Sequence, residues 1–259
     1  MLTLKQIEGN YPENLRAFKK NLLREYLQYK ILEIIFGSEF SSKLSFIGGT
    51  ALRIIYDNKR FSEDLDFDNF GLTEKKFSKL ADAIKAGLKK QGFEAEISNV
   101  FKGAYRCRIR IPEILFVNEL SVFKEEKIMI QVDTEPHNFA YQPERKILNK
   151  FDVFTEIFST PPGILLSQKI FAALNRKRAK GRDFYDIVFL LSFTKPNYNY
   201  LKEKIGVGDA DDLRARFLKM AAGLDFKELA QDVRQFLFNP VESRRVKLFI
   251  EFIKQARLK

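Results

Sequence analysis

Apolar positions in the first part of the chain recur at helical intervals and then switch to alternation. Between residues 13 and 36, Leu15, Phe18, Leu22, Leu23, Tyr26, Leu27 and Ile31 share this spacing, which predicts an amphipathic helix stopped by Gly37. Leu44-Ser45-Phe46-Ile47 reads as a short buried strand running into Gly48-Gly49-Thr50, after which ALRIIYD opens like a helix. The stretch Asp64-Leu65-Asp66-Phe67-Asp68 has period two, so a strand there places three carboxylates on one face and Leu65 and Phe67 on the other. A helix is predicted over 73–90, followed by strands over 93–99, 104–111 and 127–133, the last (KIMIQVD) ending in Asp133. After Pro161-Pro162-Gly163 the pattern becomes helical throughout. Two helices between Ile164 and Phe193 are parted by the basic turn RKRAKGR, and later ones are punctuated by Gly206, Gly208, Gly223 and Pro240. The expected class is α+β: a mixed sheet with flanking helices in residues 1–160, then a helical region over 161–259.

Composition narrows the chemistry. At 259 residues, 45% hydrophobic and 31% charged, the chain can build one large domain or two smaller ones, and neither disorder nor a fibrous repeat fits. One cysteine, Cys107, and one histidine, His137, leave no internal disulfide and no His/Cys zinc cluster, which excludes zinc hydrolases and Cys/His proteases; neither residue is given a role. No long uncharged apolar run appears, and MLTLKQIEGNYPENL lacks a basic patch leading into an apolar stretch, so a cytoplasmic protein without membrane partners is expected. The formal charge of +11 predicts attraction to polyanions such as nucleic acid or nucleotide phosphates. Residues 1–150 hold 25 Lys+Arg against 21 Asp+Glu and residues 151–259 hold 20 against 13, a surplus of +4 and then +7. Most of the 26 phenylalanines are expected in the core.

The feature with the clearest chemistry is Gly48-Gly49-Thr50 followed by Asp64-Leu65-Asp66-Phe67. A glycine turn at a helix start lets backbone N–H groups approach phosphate oxygens, and Thr50 adds a hydroxyl: a cradle for a triphosphate. Two aspartates at i and i+2 on a strand lie about 6.5 Å apart and repel by roughly 2–3 kcal/mol at an effective dielectric of 20 unless a cation lies between them. Mg²⁺ or Mn²⁺, completed by substrate phosphates, answers that repulsion. Either half of the pattern alone is common in α/β proteins and on surface strands. Together, in this order, they are far more specific. Arg60 and Ser62 precede the pair and are read as either a phosphate contact or a solvated loop, and Asp68 extends the acidic face.

The Gly-Gly-Thr and Asp-Leu-Asp-Phe elements resemble the signature of the DNA-polymerase-β-like nucleotidyltransferase superfamily. The fuller string FIGGTALRIIYDNKRFSEDLDFD, with KIFAALNRKRAKGRDFYDIVFLL downstream, is similar to the AbiEii/AbiGii toxins of bacterial abortive-infection toxin–antitoxin pairs, to which the MenT toxins are related. The match spans roughly residues 44–192 and implies a nucleotidyltransferase-like fold. By resemblance, Gly48, Gly49 and Thr50 bind the nucleotide, Asp64 and Asp66 hold the metal, and Lys169 neutralises phosphate. Arg182-Asp183-Phe184-Tyr185-Asp186 supplies the family's Arg-Asp-x-x-Asp motif, with Asp183 or Asp186 orienting nucleotide or acceptor. Asp133 is the candidate third metal carboxylate, a residue that toxin-family members do not all keep. The resemblance implies transfer of NMP from an NTP to an acceptor, with tRNA suggested by the basic surface, and a cognate antitoxin as partner. A binding-only protein of the same fold, and protein or small-molecule acceptors, remain alternatives. The basic run Arg176, Lys177, Arg178, Lys180 and Arg182 is either a solvated helix end or a contact with nucleic-acid phosphates.

Overall fold

The alternation read at 65–68 belongs to a seven-stranded mixed sheet in the computed structural model, which describes residues 1–259. The chain divides into two units, one formed by Met1–Ala51 with Glu63–Ser159 and the other by Leu52–Ser62 with Thr160–Lys259. The second unit therefore takes in a short segment from the first third of the chain, which a division into two contiguous stretches does not express.

The first unit begins with α1 (Leu4–Glu8), opened by a capping box between Thr3 and Gln6, and continues into α2 (Lys19–Phe36). The sheet comprises β1 (Leu44–Ile47), β2 (Leu65–Asn69), β3 (Glu96–Lys102), β4 (Ala104–Ile111), β5 (Ile128–Pro136), β6 (Glu144–Lys150) and β7 (Val153–Ser159). Their order is β3-β4-β5-β2-β1-β7-β6. β1 runs parallel to β7 and β2 parallel to β5, and the other neighbours are antiparallel. Between β1 and β2 the chain forms α3 (Gly48–Tyr56), between β2 and β3 α4 (Glu74–Lys90), and after β4 the short α5 (Ile114–Val117).

One face of the sheet is covered. Phe77, Leu80, Ala81, Ile84 and Leu88 make the buried stripe of α4 against β3 and β4, and Thr73 caps its start. α2 packs on α4, β5 and β7. The sequence predicts an amphipathic helix over 13–36, but the helix starts at Lys19 and is buried on nearly every side. Its polar residues enter the interior paired: Glu25 accepts from Lys150 at 2.8 Å, Gln28 donates to the Glu63 carbonyl at 2.9 Å, and Lys30 meets Glu33 at 3.2 Å and Asp152 at 3.4 Å. Buried charges of this kind persist only when paired. β6 and β7 are absent from the sequence reading, since ERKILNK distributes charge on both faces, as an edge strand can.

The second unit contains α6 (Pro162–Asn175), α7 (Gly181–Leu190), α8 (Tyr198–Ile205), α9 (Ala210–Ala221), α10 (Phe226–Arg234), α11 (Arg244–Lys247) and α12 (Phe249–Gln255). Phe184 packs edge-on to Phe226 and Phe249, and Phe217 meets Phe249 in the same way. α7 lies against α6 and α10, and at its first residue a Cβ in place of the Gly181 hydrogen would collide with the Leu229 carbonyl of α10. The segment Leu52–Ser62 is tied in by Phe61 N–H donating to Phe236 O at 2.8 Å and Phe238 N–H donating to Lys59 O at 3.1 Å. No helix is long and apolar enough to cross a membrane.

Candidate active site

In the first unit, Gly48, Gly49, Thr50, Asp64, Asp66 and Asp133 come together through the register of the sheet. Gly48 sits at the junction of β1 and α3 with φ +79°, a left-handed conformation that favours glycine, and an added Cβ would lie 2.9 Å from Cγ of Asp66. Both backbone shape and the approach of the carboxylate thus require glycine here. The enclosed Thr50 hydroxyl donates to the Asp64 carbonyl and fixes the entry into β2. Its donor is spent inside the protein, whereas the sequence reading offers it to a phosphate.

Asp66 is the register partner of Asp133 on β5, and Ile47 of β1 lies on its other side. Asp64, one residue before β2, receives the Gln131 backbone N–H at 3.4 Å. The Asp133 carboxyl accepts from Gln131 Nε2 at 2.9 Å through Oδ2, and its Oδ1 is enclosed with no hydrogen-bond partner, 3.8 Å from Arg106 Nε. Burial raises the Asp133 carboxyl above its ordinary value; the Gln131 hydrogen bond and the Arg106 charge oppose this, and the nearby charges of Asp64 and Glu135 add to it. Asp68 turns to other partners: it meets His137 Nδ1 at 3.1 Å and accepts from the Tyr141 hydroxyl at 2.5 Å. His137 thereby acquires a partner that its sequence neighbours do not reveal. Cys107 is enclosed on the covered face, and burial pushes its thiol up to about 12.

No three carboxylate, imidazole or thiolate groups stand gathered as a finished metal shell. The residues present do fit a hard divalent cation as part of such a shell. They are carboxylate oxygens, one of them, on Asp133, buried without a hydrogen bond, and Asp66 lies so close to the Gly48 turn that even a methyl group there would collide with it.

In the second unit, Lys169 of α6 and Asp183 and Asp186 of α7 form a different cluster, joined by Arg60. Asp186 has no exposed surface and its carboxylate is fully engaged: Oδ1 accepts from Arg60 Nε at 2.7 Å and Asn58 Nδ2 at 3.0 Å, and Oδ2 from Arg60 Nη2 at 2.6 Å and Lys169 Nζ at 2.9 Å. Burial alone would raise this carboxyl; the charges of Arg60 and then Lys169, with their hydrogen bonds, prevail and hold it down at about 2. Arg60, 1% exposed, remains charged because Asp186 and then Asp183 outweigh its loss of solvent. Asp183, also buried, lies 4.0 Å from Lys169 Nζ and 3.2 Å from Arg176 Nε. Arg182 faces outward in part and makes no ion pair, and Lys177 and Arg178 are exposed.

Arg60 is neither the phosphate contact nor the solvated loop residue that its sequence neighbours suggest: it is buried against Asp186, 126 positions away. A second feature was open to view. Arg106, Arg108 and Arg110 alternate with Cys107, Ile109 and Ile111 within a predicted strand, so the arginines share the face that carries Asp133.

The family model described as Nucleotidyl transferase AbiEii toxin, Type IV TA system, matches residues 30–258. Among solved structures, JHP933 from Helicobacter pylori superposes with a TM-score of 0.55 at 16% identity, covering 91% of this chain and 92% of that one. A candidate nucleotidyltransferase from H. pylori superposes with a TM-score of 0.56 at 16% identity, covering 91% and 95%. At this identity the two structures bear on the fold, which is theirs. No curated protein matches the chain.

Proposed function

The chain belongs to the AbiEii nucleotidyl transferase toxin family of type IV toxin–antitoxin systems, and on that premise we propose that it transfers a nucleoside monophosphate from an NTP to a hydroxyl of tRNA, restrained by a cognate antitoxin. The observation that supports this reading is Asp66 lying against the turn at Gly48 with Asp133 as its register partner on β5 and Asp64 two residues before it. Asp64 and Asp66, with Asp133 as a third donor, would hold Mg²⁺ or Mn²⁺. When bound, the ion withdraws charge from the triphosphate oxygens and favours departure of pyrophosphate.

The chain's own residues do the rest. Gly48 and Gly49 allow phosphate oxygens close to backbone N–H groups at the start of α3. Thr50 keeps Asp64 in place through its carbonyl. An acceptor hydroxyl attacks the α-phosphorus, the new P–O bond forms as the bond to the bridging oxygen breaks, pyrophosphate departs, and the hydroxyl proton passes to solvent. Within the second unit, Asp186, having no surface to offer a ligand, acts by positioning Lys169 and Arg60. Asp183, held by Arg176, has the same character.

The test is labelled-nucleotide transfer and pyrophosphate release with purified protein, Mg²⁺, each of the four NTPs and total tRNA, beside Asp66→Asn. Because such catalysis is mostly positioning and electrostatics, label on tRNA should vanish in the variant while its melting temperature holds. A fully active Asp66→Asn protein would sink the mechanism. Nucleotide binding without transfer to any acceptor would instead indicate a binding-only protein.

A further inference from the structure

We propose that Arg106, Arg108 and Arg110 form a phosphodiester-binding row that receives the single-stranded end of a nucleic-acid acceptor; this rests on reading the β2 carboxylates as the transfer site. The three residues occupy alternate positions of β4, with Cys107, Ile109 and Ile111 buried against the helices behind them. The backbone origins of successive arginines are therefore about 6.8 Å apart along the strand, commensurate with successive phosphates of an extended nucleotide chain. From Arg106 to Arg110 the row spans about 13 Å, longer than a triphosphate.

Register fixes where the row begins. Arg106 is paired with Asp133, itself the partner of Asp66, while Arg108 is paired with Gln131 and Arg110 with Met129. The row thus starts at the carboxylates and leads away from them. On the outer side the partners are Val100, Ser98 and Glu96 of β3.

The charge along the row is only partly compensated: Arg106 faces Asp133, Glu96 feels Arg110 but is bound by Lys127, and Arg108 has no acid beside it. Arg106 stands 3.8 Å from Asp133 without a hydrogen bond at Nε. Arg108 donates only to Gln131 Oε1 and Arg110 only to Ser98 Oγ, each at 3.3 Å. Those acceptors are neutral, so they orient a guanidinium without cancelling it, and each leaves most of five N–H donors unused. Glu96, the acid opposite Arg110, is bound instead by Lys127 at 2.7 and 2.9 Å. Three like charges on one face of one strand repel, and a polyanion threaded along them relieves that repulsion. A merely solvated strand would gain nothing from bracing its arginines with neutral groups.

The experiment uses the full chain with a fluorescent 12-nucleotide RNA bearing a free 3′ hydroxyl, and the duplex of the same sequence, titrated from 50 to 300 mM salt without NTP. Transfer kinetics are measured alongside. In the Arg108→Gln/Arg110→Gln protein, RNA binding should weaken by roughly tenfold or more, and the slope of log K against log salt should fall in magnitude by about 1.4, or 0.7 per lost phosphate contact. The KM for acceptor should rise while that for NTP stays put, and Asp66→Asn should bind RNA like the parent. Failure of the parent to bind RNA at 50 mM salt would overturn the row, as would an unchanged slope in the double variant. A raised NTP KM with an unchanged acceptor KM would assign the arginines to the triphosphate instead, and equal binding of the duplex would overturn the single-strand reading. Should Asp66→Asn remain fully active while the arginine variant loses RNA binding, the transfer mechanism fails and the row stands.

Discussion

Replacing Asp186 by alanine strands a charged guanidinium inside the second unit. Arg60 is held there by two bonds of 2.6 and 2.7 Å to that one carboxylate, and Arg60 and Asp186 are 1% and 0% exposed. Breaking a buried pair by removing one partner costs about 3–5 kcal/mol, because the remaining charge keeps its full desolvation penalty. Asn58 and Lys169 lose an acceptor as well, which places the expected cost toward the upper end. For a chain of this size about 2–4 °C is lost per kcal/mol, so Asp186→Ala should melt roughly 6–20 °C below the parent by calorimetry. Arg60→Met/Asp186→Leu, which removes both charges, should recover much of that loss. Acid should act in the same direction. The Asp186 carboxyl is held at about 2 when folded, below its unfolded value near 4, so its contribution is present above about pH 4 and is lost as pH falls through 2. An Asp186→Ala protein that melts within about 2 °C of the parent would refute the claim that Arg60 depends on this carboxylate. The result also governs how inactivity is interpreted: loss of transfer in Asp186→Ala says little about catalysis unless the double variant, folded but lacking the anchor for Lys169, is inactive too.

Gly48→Ala should lose transfer, since its Cβ displaces the Asp66 carboxyl, and should lose about 1–2 kcal/mol of stability. Gly71, with φ +82° and nothing near its Cβ direction, is the control: Gly71→Ala should show a similar stability cost in urea and keep its activity. Gly181→Ala forces the Leu229 carbonyl away from the start of α7 and should cost about 1–3 kcal/mol, seen as a lower urea midpoint with an unchanged slope. Cys107, enclosed and with its thiol pushed up to about 12, should resist iodoacetamide at pH 8 until the protein is unfolded; rapid labelling of native protein would contradict its burial.

What could be read in advance was local. Strand β1, the turn at Gly48 and the alternation around Asp66 follow from period, glycine chemistry and the i, i+2 geometry of carboxylates, all contained within some two dozen residues. Partnership across distance was hidden. Nothing near Arg60 signals a carboxylate at position 186, nothing near Asp68 signals His137, and α2 looks amphipathic until Lys150, Asp152 and Glu63 arrive to satisfy its buried polar groups. Thr50 shows the same limit at short range: its type suits a phosphate donor, but the fold spends the hydroxyl on the Asp64 carbonyl. The arginines of β4 were visible as a pattern, and only the register of β5 and β2 gave the pattern a neighbour.

The inclusion of Leu52–Ser62 in the second unit has a consequence for a chain emerging from the ribosome. This segment is synthesised early, yet Asp186, Phe236 and Phe238, which secure it, follow more than a hundred residues later. At about 5–20 residues per second, Arg60 waits at least roughly 6–25 s for its counter-ion. A nascent chain stalled before Asp186 carries an arginine with nowhere to be buried, so the cluster that positions Lys169 exists only once most of the polypeptide has been made.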